Sequence, residues 1–99
     1  MSELYELPNE NEYTIYTKSG CIYCDNAKKL LEKEKTTIIN CDDYLVKNKE
    51  LFLFFIKNLN NGIEHKTFPI IFYKKAFIGG YNELNEFYKN ENLFNNSDF

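Results

Sequence analysis

The sequence predicts a small α/β domain: a four-stranded mixed sheet in the order β-α-β-α-β-β-α, with helices on both faces. Three observations carry that expectation. The β-branched and aromatic run Tyr13-Thr14-Ile15-Tyr16-Thr17 hands over directly to a segment rich in helix formers. A second β-branched run, Thr36-Thr37-Ile38-Ile39, follows one helix later and completes a right-handed βαβ unit. Farther on, two apolar runs are separated only by Lys74-Lys75, as in a tight antiparallel hairpin.

Taken in order, residues 1–12 are polar and acidic with Pro8 inside, and read as a loose lead-in or a short helical turn. Residues 13–17 read as a buried strand. From Ile22 to about Lys35 the apolar positions Tyr23, Ala27, Leu30 and Leu31 follow the helical period. Asn40-Cys41-Asp42-Asp43 stops the second strand, and a helix is expected from about Asp43 to Asn60, ended by Asn60-Asn61-Gly62. Its stretch Leu51–Ile56 is apolar around the whole circumference. Either this helix covers one sheet face alone with a broad buried stripe, or some of Phe52, Leu53 and Phe54 form an exposed patch for a partner. Phe68 to Tyr73 reads as a strand entered through Thr67-Phe68-Pro69, and Ala76-Phe77-Ile78 as its hairpin partner, broken by Gly79-Gly80. A last helix is expected to start near Asn82, a good N-cap residue, and to run through Leu84, Phe87 and Tyr88. The domain is placed at residues 13–91, between the lead-in at 1–12 and a frayed Asn-rich tail at 92–99.

Composition narrows the function. Ninety-nine residues suffice for one core without obligatory staples. Twelve Lys/Arg against fifteen Asp/Glu give a net charge of −3, too mild to indicate a nucleic-acid or membrane partner. The longest apolar run is far too short to span a bilayer. The acidic N-terminus lacks the apolar region of a secretory signal, and three cysteines, an odd number, do not suggest a disulfide scaffold. A reducing, cytoplasmic compartment and a monomeric chain are expected.

The chemistry concentrates in Cys21-Ile22-Tyr23-Cys24, a Cys-x-x-Cys pair placed where a strand hands over to a helix. That position reads as a dithiol redox site, because the unpaired N–H groups and dipole at a helix start stabilise a thiolate. The competing reading is half a zinc site, but Cys41 and His65 do not recur at ribbon or finger spacing, so no metal is assigned. Cys41, at the end of a strand, reads as structural, and His65 as a solvated loop residue.

Three blocks in order, Lys18-x-x-Cys21-x-Tyr23-Cys24, Thr67-Phe68-Pro69 and Gly79-Gly80-Tyr81-Asn82, resemble the glutaredoxin family of the thioredoxin-like fold. The likeness spans roughly residues 13–91. It implies a glutathione-dependent thiol–disulfide oxidoreductase, with Cys21 at the helix N-cap as nucleophile and Cys24 one turn in as resolving thiol. Pro69 resembles the family's cis-proline, which would hold the Phe68 backbone opposite Cys21 to pair with the extended backbone of glutathione. Gly79-Gly80 permits close backbone approach, the N–H groups of Tyr81 and Asn82 suit the γ-glutamyl carboxylate, and Lys18 and Lys66 suit the other carboxylate. Thr67 and Tyr23 help to shape the groove, and Phe68, where smaller residues are usual, narrows it. The partners implied are glutathione and disulfide-containing or glutathionylated proteins.

Two features depart from the family pattern. Ile22 stands where the common pair holds Pro at the first helical position, and Asp25 puts a negative charge near the sulfurs. Members that bridge an iron–sulfur cluster tend to lack that Pro, so a glutathione-ligated cluster dimer is one alternative. A thioredoxin-like electron donor is the other.

Overall fold

Alternation along one strand organises the whole molecule. β1 (Tyr13–Thr17) is buried along its entire length, so successive side chains feed two opposite cores. Tyr13 and Ile15 pack with Ala27, Leu31, Ile71 and Leu84 on one face. Tyr16 packs with Ile39, Phe52, Phe55, Ile56, Ile70 and Phe72 on the other. The computed structural model describes residues 4–96, with side chains through residue 91.

The seven elements occur in the expected order: β1, α1 (Ile22–Leu30), β2 (Thr36–Asn40), α2 (Asp42–Leu59), β3 (Ile70–Tyr73), β4 (Ala76–Gly79) and α3 (Tyr81–Asn96). The sheet order is β2-β1-β3-β4. β1 runs parallel to β2, with Ile15 opposite Ile38, and antiparallel to β3, with Ile15 opposite Ile71. β3 and β4 form the antiparallel hairpin, turned by Lys74 (φ 50°) and Lys75 (φ 74°). Positive φ at both central residues is the type I′ pattern of a two-residue hairpin, so these lysines accept the strain that Asn-Gly would avoid. α1 and α3 cover the Tyr13/Ile15 face, and α2 covers the Tyr16 face.

Four expectations need correction. α1 stops at Leu30 rather than near Lys35. Glu32 N–H bonds back to Lys29 O at 3.2 Å, tightening the last turn so that the chain can extend into β2. α2 is broken at Asn48 (φ −165°, ψ 88°), whose side-chain oxygen accepts the Leu51 N–H at 3.0 Å. Asn48 thus caps the second half of the helix from within. The break settles the apolar run: Phe52, Phe55 and Ile56 are buried, whereas Phe54 is 51% exposed.

The lead-in is packed rather than loose. Tyr5 is buried, with ring centroids 4.8 Å from Tyr44, 5.3 Å from Phe52 and 5.0 Å from Phe55. Tyr16 Oη donates to the Glu6 carbonyl at 2.6 Å, holding this segment across the α2 face. At the other end, α3 continues to Asn96 through most of the expected tail; residues 1–3 and 97–99 lie outside the described residues.

Candidate functional site

The site is built where β1 ends. Lys18-Ser19-Gly20 turns the chain, with Gly20 at φ 69°, a conformation that a side chain would strain. Cys21 follows as the N-cap of α1 in an extended conformation (φ −112°, ψ 105°). Its carbonyl accepts the Asp25 N–H at 3.1 Å, the first bond of the helix. Its sulfur accepts the Cys24 N–H at 3.1 Å, the place an N-cap oxygen takes in most helices. Cys21 and Cys24 are joined as a disulfide, with their Cα atoms 5.2 Å apart. Cys21 is partly accessible and Cys24 fully buried, so an incoming sulfur meets Cys21 first.

Ile22 and Tyr23, between the two cysteines, are 64% and 56% exposed, giving the accessible sulfur an apolar collar. Asp25 points outward and pairs with Lys28 at 3.8 Å. The turn is anchored from outside as well. Asp42, at the start of α2, accepts both the N–H and the hydroxyl of Ser19, and these bonds, the hydroxyl's first, hold its carboxyl below the usual carboxylate range.

Opposite the helix start lies Thr67-Phe68-Pro69. The Phe68–Pro69 peptide is cis, and β3 begins only at Ile70, which leaves Phe68 ahead of the ladder. A groove of about 450 Å³ is lined by Tyr23, His65, Thr67, Phe68, Pro69, Gly80, Tyr81, Asn82 and Glu83. Tyr23 and Tyr81 face each other with ring centroids 6.1 Å apart. A second depression, of about 330 Å³, adjoins it at Thr67 and Phe68 and is lined by Lys18, Lys49, Lys66 and Leu45. The Phe68 ring lies toward α2, nearly parallel to Phe52 at 6.3 Å and under Lys18 Nζ at 5.7 Å.

Of the residues singled out from the sequence, Tyr23, Thr67, Phe68, Pro69, Gly80, Tyr81 and Asn82 therefore share one groove, and Lys18 and Lys66 its extension. Lys66 is held by Glu64 at 3.7 Å. Gly79 lies behind the wall: it is buried at φ 129°, and a Cβ there would sit 2.9 Å from Glu83 Cβ. Two expectations change. Asn82 is not the N-cap of α3. Gly80 takes that place, its carbonyl accepting the Leu84 N–H at 3.0 Å while its N–H donates to Glu83 Oε1 at 2.8 Å. His65 is half-buried rather than solvated, with its ring 5.3 Å from that of Phe77 and its Nε2 enclosed without a hydrogen-bond partner among the described residues.

Cys41 is buried at the start of α2, with its N–H bonded to the Thr17 carbonyl at 2.8 Å. Burial, and then the nearby Asp42 and Glu6 charges, push its thiol up to about 12 against the pull of a hydrogen bond from the Thr17 backbone. Among the described residues, no group of three or more His, Cys, Asp and Glu is arranged to hold a metal, and no helix is long and apolar enough to cross a membrane. Asp42, Lys49, His65 and Glu83 contribute to the site without having been singled out as its residues. Only Glu83 had a local signal, its position three residues after the cap.

Comparison with known proteins agrees with this geometry. The glutaredoxin family model matches residues 13–78. Glutaredoxin 1 of Rickettsia bellii (strain RML369-C) is 38% identical over 72 residues, covering 71% of this chain and 69% of that protein. A dithiolic glutaredoxin of Trypanosoma brucei brucei, known in solution, superposes with a TM-score of 0.66 at 28% identity, covering 86% of this chain and 84% of that one. A buckwheat glutaredoxin, crystallised with glutathione, shares the fold at a TM-score of 0.67 and 22% identity, covering 94% of this chain and 82% of that one.

Proposed function

This chain belongs to the glutaredoxin family and is a thiol–disulfide oxidoreductase; we propose that glutathione is its reductant and that glutathione mixed disulfides and protein disulfides are its substrates. The observation that carries this reading is the placement of the Cys21 sulfur. It caps α1 and takes the Cys24 N–H at 3.1 Å, and the groove whose wall starts at Tyr23 ends at the N-terminus of α3.

In the first step Cys21 thiolate attacks the glutathione sulfur of a protein–glutathione disulfide. The new bond is Cys21–S–S–glutathione, and the protein sulfur leaves as a thiolate that takes a proton from water. A second glutathione thiolate then attacks the sulfur of the bound glutathione, releasing glutathione disulfide and regenerating the Cys21 thiolate. With a protein disulfide, Cys21 instead attacks one sulfur of the client's S–S bond, expelling the other as a thiolate that takes a proton from water, and forms a mixed disulfide with the client. Cys24 attacks the Cys21 sulfur of that adduct, the client's remaining sulfur leaves, and the Cys21–Cys24 disulfide forms. Two glutathiones reduce it and leave as glutathione disulfide.

For the tripeptide itself, Thr67 and Phe68 offer backbone ahead of the β3 ladder, along which an extended peptide can pair as an added strand. The start of α3, at Tyr81 and Asn82, suits its γ-glutamyl carboxylate. Lys18 and Lys66 suit the carboxylate at its other end. Gly79 acts behind this surface by letting the strand pass close under Glu83.

The test is turnover of the glutathione–hydroxyethyl mixed disulfide with glutathione, glutathione reductase and NADPH, compared with thioredoxin reductase and NADPH. Sustained turnover only in the first system is expected; turnover only in the second would make the protein a thioredoxin-like donor.

A further inference from the structure

A second groove, of about 510 Å³, lies between the outer half of α2 and the loop that precedes Thr67. Its apolar surface is Leu53 and Phe54, and its cationic rim is Lys49, Lys57 and Lys66. Two carboxylates, Glu50 and Glu64, also line it; the Lys66–Glu64 pair at 3.7 Å offsets one charge of each sign, so the excess positive charge comes from Lys49 and Lys57 against Glu50. Lys49 and Lys66 belong also to the depression beside Thr67 and Phe68, where Lys18 adds a further positive charge. The two spaces therefore form one path that leads away from the candidate glutathione groove. In a chain of net charge −3 this path is locally basic.

We propose that this path docks the protein substrate: an extended, acidic client segment carrying an aromatic or large aliphatic side chain that seats on Phe54. The inference rests on the oxidoreductase reading above and names the class of macromolecule the site takes. The client's cysteine reacts at Cys21, and its neighbouring residues run along Thr67 and Lys66 as a strand would. Glutathione, three residues long, ends at Lys18 and Lys66, so the outer groove is left to longer substrates. The half-exposed Phe54 ring supplies an apolar anchor among buried neighbours, and the lysine rim favours acidic flanking residues and speeds their encounter.

The experiment uses two synthetic peptides, each closed by a disulfide between two cysteines, so that Cys21 attacks the client's own sulfur and the peptide rather than glutathione lies along Thr67 and Lys66. Several residues away, one has a phenylalanine between acidic residues and the other a phenylalanine between lysines. The glutathione–hydroxyethyl disulfide serves as the small reference. At low salt, kcat/KM for the acidic peptide is expected to exceed that for the basic one by about tenfold, and the gap should close as salt is raised. Phe54→Ser and Lys57→Glu should each lower kcat/KM for the acidic peptide about fivefold and leave the small reference unchanged. Equal kcat/KM for the two peptides, or losses no larger for the peptide than for the reference, would overturn the docking proposal. A wild-type protein that fails on the small reference would instead overturn the glutathione reading itself. A dimer in sedimentation that Phe54→Ser dissolves would assign the groove to a second copy of the chain, and so against a client.

Discussion

Asp42 holds Ser19 through both carboxylate oxygens: Oδ1 accepts the Ser19 N–H at 2.9 Å and Oδ2 accepts its hydroxyl. This ties the turn that delivers Cys21 to the start of a helix on the opposite sheet face. The bonds lower the Asp42 pKa in the folded protein, Ser19's hydroxyl contributing most. Their stabilisation is thus fully present above the unfolded carboxylate value of about 3.9 and is lost as pH falls through the lower folded value. Asp42→Ala is expected to lower the thermal midpoint at pH 7 and to matter less at pH 3. A midpoint difference that does not change with pH would show that the charge on Asp42 is not what holds the turn.

The unequal accessibility of the two sulfurs predicts unequal mutants. Cys21→Ser should lower turnover of every disulfide substrate by at least about a hundredfold, because no other thiol can make the first attack. Cys24→Ser should keep glutathione mixed-disulfide turnover within a few-fold and lose reduction of protein disulfides. Assaying both variants on both substrates decides the matter; equal losses would remove the division of roles.

Cys41 should be inert. Its thiol, pushed up to about 12 by burial, stays protonated and enclosed in the native state. Iodoacetamide treatment of the reduced native protein at pH 8, followed by mass spectrometry, is expected to leave Cys41 unlabelled. Because the folded pKa is raised, the linkage runs opposite to that of Asp42. The preference for the neutral thiol is complete below the unfolded value of about 8.5 and is lost as pH climbs toward the folded one. The stability gap between wild type and Cys41→Ala should therefore narrow between pH 8 and 10 in urea titrations.

Gly79 cannot carry a side chain without strain. At φ 129° with Glu83 Cβ 2.9 Å from a would-be Cβ, Gly79→Ala is expected to cost about 1–3 kcal/mol. It should also displace the Glu83 carboxylate that accepts the Gly80 N–H. An unchanged urea midpoint would mean the wall relaxes at no cost.

Where the determinants are local, the sequence was readable. The Tyr13–Thr17 run, the Lys74-Lys75 turn and the breaker at Asn60-Asn61-Gly62 each announce their structure within a few residues, and the element order follows. The Cys pair at a strand-to-helix junction was legible for the same reason. Asp42 and Ser19 meet across 23 residues, and no short-range pattern links them. The enclosure of His65 depends on Phe77, which arrives only after the hairpin folds back. Asn48 was hidden by the apolar run that follows it: hydrophobic period cannot tell one helix from two that share a direction. At α3 the favourable cap chemistry of Asn82 drew attention from Gly80, although Glu83 stood at capping-box distance.

Sequence kinship and structural autonomy divide this chain at different places. The stretch matched by the glutaredoxin family model runs from 13 to 78, yet Tyr5 seals one side of the sheet from before it and Leu84 seals the other from beyond it. Excising the matched stretch as a portable module would lay bare both interiors at once, so transplantation or shortening should respect the seals and not the likeness.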